Sequence, residues 1–253
     1  MIGPPVRVET DAAGVATVTL DRPDRLNAMG NADWPILRVT FERLALDRGV
    51  RAVVLTGAGR AFCAGGDIKQ IPTDPSTPTA TRARMRDIDA TAIALHHLPQ
   101  PTIAGVNGDA VGAGWSLALG CDVVLAADTA RFAAKFVDRG ISLDLGGTWL
   151  LARHLGLQRA KHLTFTAEFL SAAEAAELGL VLQVHPAGEL AAAANAYATA
   201  LVARPSEALA QIKAGLNQAW AWGLEQACEF EGQAQAACVA ARQIAKQQRR
   251  SAL

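Results

Sequence analysis

The first sixty residues alternate between strand-like and helix-like spacing of apolar positions. The segments "VRVET" and "VATVTL" alternate apolar with other residues on either side of "DAAG", which predicts a β-hairpin. After the loop "DRPDRLNAMG", the stretch "NADWPILRVTFERLAL" carries apolar residues at helical spacing. The next run, "RAVVLTGAG", is rich in β-branched residues and ends in glycines, as a strand buried on both faces does. Together these segments predict a βαβ crossover.

Strands and helices continue to alternate through the middle of the chain. A polar, Pro- and Thr-rich stretch over residues 72–81 precedes a predicted helix that ends near Leu98. "PTIAGVNG", "CDVVLAA" and "ARFAA" predict strands, and "AGWSLALGCD" predicts a helix between the first two. From Thr148 onward the pattern is almost wholly helical and rich in alanine, with "SAAEAAELGLV" and two long stretches over 189–203 and 206–246. This order predicts an α/β core followed by a helical C-terminal part.

The last predicted helix, roughly Leu224 to Gln248, has a narrow apolar stripe that needs to be covered. The stripe consists of Phe230, Ala234, Ala237 and Val239 among many alanines. It is expected to pack either on the chain's own core or on a neighbouring subunit. The pattern alone leaves both alternatives open.

The overall charge of the chain argues against polyanionic partners. The 253 residues carry a formal net charge of zero, with Lys and Arg spread among Asp and Glu. No electropositive face of the kind that binds nucleic acid or anionic lipid is therefore expected, and small molecules are the expected partners. The N-terminus lacks a basic stretch followed by an apolar one, and no later stretch approaches the ~20 apolar residues of a membrane span. A soluble, cytoplasmic protein without membrane association is expected.

Cysteine and histidine spacing gives no sign of a metal site or a disulfide framework. The cysteines contain no C-x-x-C pair and are expected to be reduced and structural. The histidines match neither a metal-binding spacing nor a nucleophile partner, so no metal is expected. These residues are Cys63, Cys121, Cys228 and Cys238, and His96, His97, His154, His162 and His185.

Two glycine-rich turns follow predicted strands and are candidates for ligand binding. In "GRAFCAGGDI" the residues 64–66 follow a strand, and in "NGDAVGAGWSLALG" the residues 112–114 open a helix. Backbone N–H groups at such turns can approach a ligand closely, although either turn alone could be only a tight βα connection. A dinucleotide-binding fingerprint is not favoured, because the last glycine and the later acidic residue are missing.

Five motifs in one order carry a resemblance to a known family. They are "DRPDRLNA", "AFCAGGDI", "NGDAVGAGWSLALGCD", "LGGTWLLARHLG" and "SAAEAAELGLV". From about Val6 to Val184 the chain resembles the enoyl-CoA hydratase/isomerase family, the crotonase superfamily. The resemblance implies a ββα spiral core over residues 1–190 and a helical region over 191–253 that assembles trimers or pairs of trimers. It also implies an acyl-CoA thioester substrate, with coenzyme A as part of the substrate and no other cofactor.

The resemblance gives each glycine-rich turn a role. The N–H of the residue after the first glycine in each turn forms the family's oxyanion hole, and here those residues are Gly66 and Ala113. Two such donors would stabilise the enolate that forms when an α or γ proton leaves the thioester, and losing one donor typically costs several kcal/mol. Alanine at 113, where glycine is more frequent in the family, is compatible with a helix N-terminus.

For coenzyme A, the resemblance points to one arginine and to three positions in and just after the first glycine-rich turn. Arg25 is expected near the phosphates, and backbone groups of Ala64, Asp67 and Ile68 around the adenine. Arg22 and Arg25 could also be ordinary surface charges in a polar loop. Asp67 could equally cap the helix that starts at Ile68.

The family's hydratases hold one water between two glutamates, and both glutamates are missing here. Their positions correspond to Ser116 and Phe136, and neither residue can replace a general acid or base. Efficient hydration by the two-glutamate mechanism is therefore not expected. Ser116, Phe136 and Trp149 are assigned to the substrate pocket.

Asp144 is the candidate acid/base. It lies in "LDLGGTW", where family isomerases such as the ring-opening isomerase of phenylacetate breakdown carry a catalytic Asp in a similar motif. With Ile141, Leu143, Leu145 and Trp149 around it, the carboxylate is expected to be partly desolvated, which raises its pKa and makes it a better base at neutral pH. One such group can remove a proton and return it elsewhere. Its alternative role is that of a helix N-cap.

These residues predict an enoyl-CoA isomerase with Asp144 as a single proton shuttle. Asp138 is a weaker candidate because adjacent Arg139 suggests a solvated pair. Hydration by a non-standard mechanism is the second alternative. A third uses Asp144 as a nucleophile on an aromatic ring, as aryl-CoA dehalogenases of the family do, with Phe136 and Trp149 beside the ring. The non-enzymatic alternative is an acyl-CoA binding scaffold that has lost its chemistry.

Overall fold

A computed structural model describes residues 4–70 and 78–251, which fold into two β-sheets surrounded by helices. The larger sheet has the strand order β1-β2-β3-β5-β7-β10, and the smaller one has the order β4-β6-β8-β9. The strands are Val6–Thr10 (β1), Val15–Leu20 (β2), Ala52–Gly57 (β3), Ala61–Cys63 (β4), Thr102–Val106 (β5), Asp109–Val111 (β6), Val123–Ala127 (β7), Arg131–Ala133 (β8), Leu170–Ser171 (β9) and Gln183–His185 (β10). The helices are Asp33–Leu46 (α1), Pro78–His96 (α2), Ala113–Leu119 (α3), Gly147–Thr166 (α4), Ala172–Glu177 (α5), Leu190–Val202 (α6), Ser206–Gln218 (α7) and Leu224–Ser251 (α8).

The predicted hairpin and crossover are confirmed. Strands β1 and β2 pair antiparallel, with Val6 opposite Leu20. Strand β2 then pairs parallel with β3 after helix α1 crosses between them. Along α1, Trp34, Leu37 and Phe41 recur at helical spacing and are buried, so this face of the helix holds it on the core.

Three strands of the larger sheet, β3, β5 and β7, are each followed by a short strand of the smaller one. Strands β3, β5 and β7 pair in parallel with one another, and β4, β6 and β8 do the same in the second sheet. The chain therefore leaves the first sheet, adds a strand to the second and returns through a helix. This repetition brings the carboxyl ends of successive strands to one region of the molecule, where both glycine-rich turns lie.

The C-terminal half contains strands that the sequence pattern did not predict. The expectation of an almost wholly helical chain after Thr148 is wrong at β9, which pairs antiparallel with β8, and at β10, which pairs parallel with β7. The stretch 206–246 is also not one helix, because residues 219–223 separate α7 from α8. The predicted polar stretch 72–81 lies partly outside the described residues, and α2 begins at Pro78.

Helix α6 belongs to the packed core, although it falls within the predicted C-terminal region 191–253. Ala194 and Ala198 are buried, and helix α6 lies against β2, β3, β5 and β7. A β-carbon on Gly105 of β5 would lie 3.6 Å from the Ala194 Cβ, so small residues on both sides allow close approach. Helices α7 and α8 pack mainly on each other. The oligomerisation role of this region stays a prediction.

Candidate active site

The two glycine-rich turns touch each other. A β-carbon on Gly114 would lie 2.1 Å from the carbonyl oxygen of Cys63, and one on Gly65 would lie 2.8 Å from the carbonyl oxygen of Val111. Gly65 also has a φ of 94°, which side chains rarely adopt. Glycine is therefore required at both positions, and the close contact sets the end of β4 against the start of α3.

Both candidate oxyanion donors have free N–H groups. Within the described residues, no acceptor is found for the backbone N–H of Gly66 or of Ala113. The Gly66 peptide is held from both sides, since Met29 N–H donates to Gly65 O and Asp67 N–H donates to Met29 O, each at 2.8 Å. Ala113 is the first residue of α3, where helix geometry leaves N–H groups unpaired. The Ala113 nitrogen lies 3.4 Å from the position of a β-carbon on Gly65, so the two donor turns are neighbours.

The carboxylate of Asp144 is largely buried, and one of its oxygens has no partner. Oδ1 is inaccessible to solvent and makes no hydrogen bond within the described chain. Burial and, to a smaller extent, the negative charge of Asp89 on α2 together raise the pKa of Asp144 to about 7. The predicted desolvation is confirmed. A carboxylate with this pKa exists in both protonation states near neutral pH.

The side chain of Asp144 does not cap the following helix. Helix α4 begins at Gly147, its N-cap residue is Gly146, and no side chain bonds to its first turn. Only the main-chain carbonyl of Asp144 takes part, accepting a hydrogen bond from Gly147 N–H at 2.8 Å. The alternative role as an N-cap is therefore wrong. Buried Leu145 adopts a left-handed φ of 50°, so the turn after Asp144 is held in a conformation that non-glycine residues seldom take.

Packing brings the Asp144 loop to the two donor turns. A β-carbon on Gly147 would lie 2.6 Å from Ser116 Oγ in the first turn of α3. Burial, with a smaller contribution from the nearby Asp144 carboxylate, raises the pKa of the Cys63 thiol to about 12. Asp144 is therefore near the end of β4 as well as near α3.

The two positions of the missing glutamates are buried next to this site. Ser116 and Phe136 are both shielded from solvent, and the Phe136 ring lies 3.8 Å from the position of a β-carbon on Gly112. Neither side chain ionises in this surrounding. The predicted rival, Asp138, pairs with Lys135 at 3.1 Å rather than with Arg139, and it lies at an exposed 3-10 turn.

The region assigned to coenzyme A contains two ion pairs. Arg25 is 42% exposed and bonds Asp67 Oδ2 at 2.9 Å. Burial alone would raise the pKa of Asp67, but hydrogen bonds from the Lys69 N–H, from Gln70 and from Arg25 together hold it below its usual value. Asp67 Oδ1 accepts from Lys69 N–H at 3.1 Å, so the alternative capping role of Asp67 is confirmed.

Arg22 is not an ordinary surface charge. It is mostly buried and pairs with Asp33 Oδ2 at 2.6 Å. The N–H of Ala64 bonds Leu26 O at 2.9 Å, and that of Asp67 bonds Met29 O, so both donors are used within the loop. Ile68 is exposed beside them. The assignment of Arg25, Ala64, Asp67 and Ile68 to coenzyme A stays a prediction.

A mostly apolar cavity of about 160 Å³ begins beside the Asp144 loop. Its lining includes Leu145, Gly146 and Ser116, together with the rings of His96, His97 and Trp149. The His96 and Trp149 rings meet edge to face, with their centroids 5.2 Å apart. Trp149 is 39% exposed. Trp149 therefore lines the cavity, as expected for a residue of the predicted substrate pocket.

Sequence reasoning missed two residues that shape this site. Asp89 is exposed on α2 and acts on the pKa of Asp144 across a tertiary contact. His96, seven residues later on the same helix, matched no metal-binding spacing and no nucleophile partner in the sequence, and it lines the cavity. Helical spacing places both on one face of α2. The helical spacing could have shown that Asp89 and His96 share a face of α2. It does not show which element of the fold packs against that face.

Four cysteines are free, as expected. Within residues 4–70 and 78–251, no three Asp, Glu, His or Cys side chains are grouped so as to hold a metal ion. Across the same residues, no helix is long and apolar enough to cross a membrane.

Comparison with known proteins decides the family. The family model described as enoyl-CoA hydratase/isomerase matches residues 10–250. The chain belongs to the enoyl-CoA hydratase/isomerase family. A member from Escherichia coli (strain K12), 1,2-epoxyphenylacetyl-CoA isomerase, is 40% identical over 208 residues, which cover 81% of this chain and 79% of that protein. A "Probable enoyl-CoA hydratase" from Rhodobacter capsulatus is 39% identical over 79% of this chain and 76% of its own length.

Solved structures of enoyl-CoA hydratases have the same fold. The enzyme from Mycobacterium smegmatis superposes with a TM-score of 0.87 at 35% identity, covering 92% of this chain and 90% of that one. The enzyme from Bacillus anthracis gives 0.87 at 31% identity, covering 93% and 91%. The predicted crotonase-like α/β fold with C-terminal helices is confirmed.

Proposed function

We propose that this member of the enoyl-CoA hydratase/isomerase family shifts a carbon–carbon double bond in an acyl-CoA thioester. The observation that carries the proposal is the buried, unpartnered Oδ1 of Asp144 close to both donor turns. A buried carboxylate oxygen without a hydrogen bond costs free energy, so a native protein retains one chiefly where a ligand supplies the missing contact.

Asp144 moves one proton in this reaction. For a 3-enoyl thioester, the ionised carboxylate takes a proton from C2, and the electron pair spreads through C3 and C4 and onto the thioester oxygen. The N–H groups of Gly66 and Ala113 stabilise the negative charge on that oxygen. The same proton then returns from Asp144 to C4, which leaves the double bond between C2 and C3. No water is consumed, so the two glutamates of a hydratase are not needed.

The raised pKa of Asp144 suits both halves of this step. A base with a pKa of about 7 is substantially ionised at neutral pH, and its protonated form is acidic enough to give the proton back. The relative from Escherichia coli is also named as an isomerase of a ring-bearing acyl-CoA. Coenzyme A enters as part of the substrate, near Arg25 and the residues 64–68, and no other cofactor or metal is proposed.

Hydration is the second candidate function, and one observation favours it. Asp89 is a second carboxylate whose charge reaches Asp144, so the site holds two acidic groups although neither occupies a glutamate position of the family's hydratases. Two carboxylates could position a water between them. Asp89 is exposed, however, and its partner Asp144 alone has the desolvation that raises a pKa.

The decisive assay follows 3-hexenoyl-CoA and 2-hexenoyl-CoA with purified protein. Double-bond migration and water addition are scored separately by chromatography and mass. We expect migration without hydration, and a loss of about 10²–10⁴-fold in kcat for Asp144→Asn. Asp138→Asn is the matched control and is expected to keep the wild-type rate. Isomerisation unchanged by Asp144→Asn would remove Asp144 from the mechanism, and hydration as the main reaction would favour the second candidate.

A homotrimer or a pair of trimers is also proposed. Helices α7 and α8 expose large apolar side chains, and a groove of about 410 Å³ lies between them. Exposed residues of this kind are Ile212, Leu216, Leu224, Val239 and Ile244. Apolar surface on this scale is typical of an interface between copies. Light scattering at two concentrations measures the assembly, and a monomer at both would contradict it; a cytoplasmic location and no binding of nucleic acid stay predictions.

A further inference from the structure

The cavity beside Asp144 has a half-buried histidine, His96, in its mostly apolar wall. Its walls come from α2, α3, the turn at Leu145 and Gly146, and the first turn of α4. Aliphatic and aromatic atoms make up most of the lining, including Ala92, Leu117 and Leu150. The polar groups in the lining are Ser116 and the imidazoles of His96 and His97, of which His96 is half-buried and His97 is exposed. Within residues 4–70 and 78–251, the ring nitrogens of His96 make no hydrogen bond, so they are available to a ligand.

The position of the cavity follows from the elements that carry the reaction. Leu145 and Gly146 follow Asp144 directly, and Ser116 lies in the first turn of α3, three residues after Ala113. On the opposite wall, Ala92 and His96 are spaced along the face of α2 that also carries Asp89. The cavity therefore extends away from the reacting carbons in the direction that the end of an acyl chain must take.

The far wall is held in place by three elements. Trp149 meets the edge of His96 at 5.2 Å, and the guanidinium of Arg153 stacks 3.7 Å above Trp149. From the other side, Asn217 of α7 donates a hydrogen bond to the carbonyl of His96 at 3.2 Å. Burial lowers the pKa of His96, so the imidazole is neutral at physiological pH and offers one donor and one acceptor.

We propose that His96 is a specificity-determining residue that selects a compact acyl tail, of the size of one six-membered ring, carrying an oxygen within its reach. This inference rests on the proposed acyl-CoA function and adds the class of acyl group. The size follows from the volume of about 160 Å³, because a dry apolar cavity of about 150 Å³ is known to hold one benzene molecule. The oxygen follows from His96, since a polar ring in an apolar wall selects a substrate group that pairs with it.

Binding of unreactive thioesters tests the proposal without any catalytic step. Phenylacetyl-CoA, 4-hydroxyphenylacetyl-CoA, acetyl-CoA and dodecanoyl-CoA have no double bond that can shift between C3 and C2. Isothermal titration calorimetry should show both ring thioesters binding tighter than dodecanoyl-CoA. The hydroxylated ring should bind about three- to tenfold tighter than the plain ring, the range expected for one net hydrogen bond.

Variants separate the hydrogen bond from packing. His96→Leu should bring the ratio between hydroxylated and plain ring to about one, while His96→Gln, which keeps a donor, should retain part of it. His162→Leu, on an exposed histidine that pairs with Glu168, is the matched control and should leave the ratio unchanged. Ala92→Phe, which fills the cavity, should lower the affinity for the ring thioesters relative to acetyl-CoA.

Two results would overturn the proposal. One is a ratio of affinities between the hydroxylated and the plain ring thioester that stays the same in His96→Leu. The other is dodecanoyl-CoA binding as tightly as the ring thioesters. Failure of the proposed reaction is distinguishable from both. Protein that shifts no double bond but still binds the hydroxylated ring thioester tighter than the plain one would lack the proposed activity and retain the selectivity. Active protein that binds the two ring thioesters equally well would retain the activity and lack the selectivity.

Discussion

The carbonyl oxygen of Cys63 lies so close to Gly114 that a β-carbon on residue 114 would be 2.1 Å from it. This contact joins the end of β4 to the first turn of α3; one candidate oxyanion donor, Gly66, lies in the turn after β4, and the other, Ala113, begins α3. The distance between the donors is therefore fixed by backbone packing rather than by side chains. A change at Gly114 should affect the catalytic geometry and the fold together.

We predict that Gly114→Ala destabilises the protein and impairs catalysis. The methyl group forces β4 and α3 apart, and overpacking of this kind costs about 1–3 kcal/mol. A displaced donor turn should lower kcat by at least tenfold even where the protein is fully folded. Urea unfolding and steady-state kinetics measure the two effects. Gly232→Ala, where the added methyl group meets nothing within 4 Å, is the control: it should leave kcat unchanged and, because position 232 lies inside α8, raise stability by about 0.5–1 kcal/mol.

The second prediction concerns pH and Asp89. Because Asp144 must be ionised to accept a proton, kcat/KM should rise with pH through an apparent pKa near 7. Removing the Asp89 charge removes one cause of the raised pKa, so Asp89→Asn should move this rise to lower pH. At pH 6 the variant should then be faster than the wild-type protein.

Asp87→Asn provides the comparison for that profile. Asp87 is exposed on α2 two residues from Asp89, and helix geometry directs it to another face. Its profile should superimpose on that of the wild type. If hydration is the reaction and Asp89 holds the water, Asp89→Asn would instead lose activity at every pH, which contradicts the electrostatic role assigned to it here.

The third prediction links the pKa of Asp144 to stability. The folded protein holds the proton more tightly than the unfolded chain, so ionising Asp144 opposes folding. This penalty is absent below the unfolded pKa of 3.8, grows as the pH rises through the folded pKa and is complete above about 7. Asp144→Asn should therefore be more stable than the wild type above pH 7, with a gain that shrinks as the pH falls.

The size of that gain has an upper limit. A shift from 3.8 to about 7 corresponds to ~4 kcal/mol, and the remaining solvent contact of the side chain reduces this to about 1–3 kcal/mol at pH 8. Urea unfolding at pH 5, 6, 7 and 8 measures it. Asp138→Asn removes only an exposed ion pair and should change stability by less than about 1 kcal/mol at each pH. A difference for Asp144→Asn that does not vary with pH would show that ionisation is not its source.

Sequence patterns predicted the parts of this protein that depend on local chemistry. The apolar neighbours of Asp144 predicted its desolvation, which its raised pKa confirms. The glycine-rich turns were predicted to approach a ligand, whereas the contacts of Gly65 with Val111 and of Gly114 with Cys63 appear only in the structure. Strands of two or three residues, such as β9 and β10, were missed because so few positions show no period. Asp89 and His96 were missed as site residues because their roles depend on which element packs against α2.

Asn27 is another residue whose importance appears only in the structure. It lies in the loop before α1, is 1% exposed and adopts a left-handed φ of 57°. Its Nδ2 donates to the carbonyls of Ala58 and Ala61 at 2.9 and 2.8 Å, and its Oδ1 accepts from the N–H of Arg22 at 2.9 Å. One side chain therefore ties the loop that carries Arg25 to the turn between β3 and β4.

We predict that Asn27→Ala lowers the free energy of unfolding by about 2–4 kcal/mol. Two carbonyls lose a partner, and alanine tolerates the left-handed conformation less well than asparagine does. Asn107→Ala is the matched comparison, because Asn107 makes similar bonds to Gly57, Gly59 and Ala61 with an ordinary φ. It should cost less, and the difference between the two variants isolates the backbone contribution at position 27. Equal losses in urea unfolding would show that the hydrogen bonds alone account for the effect.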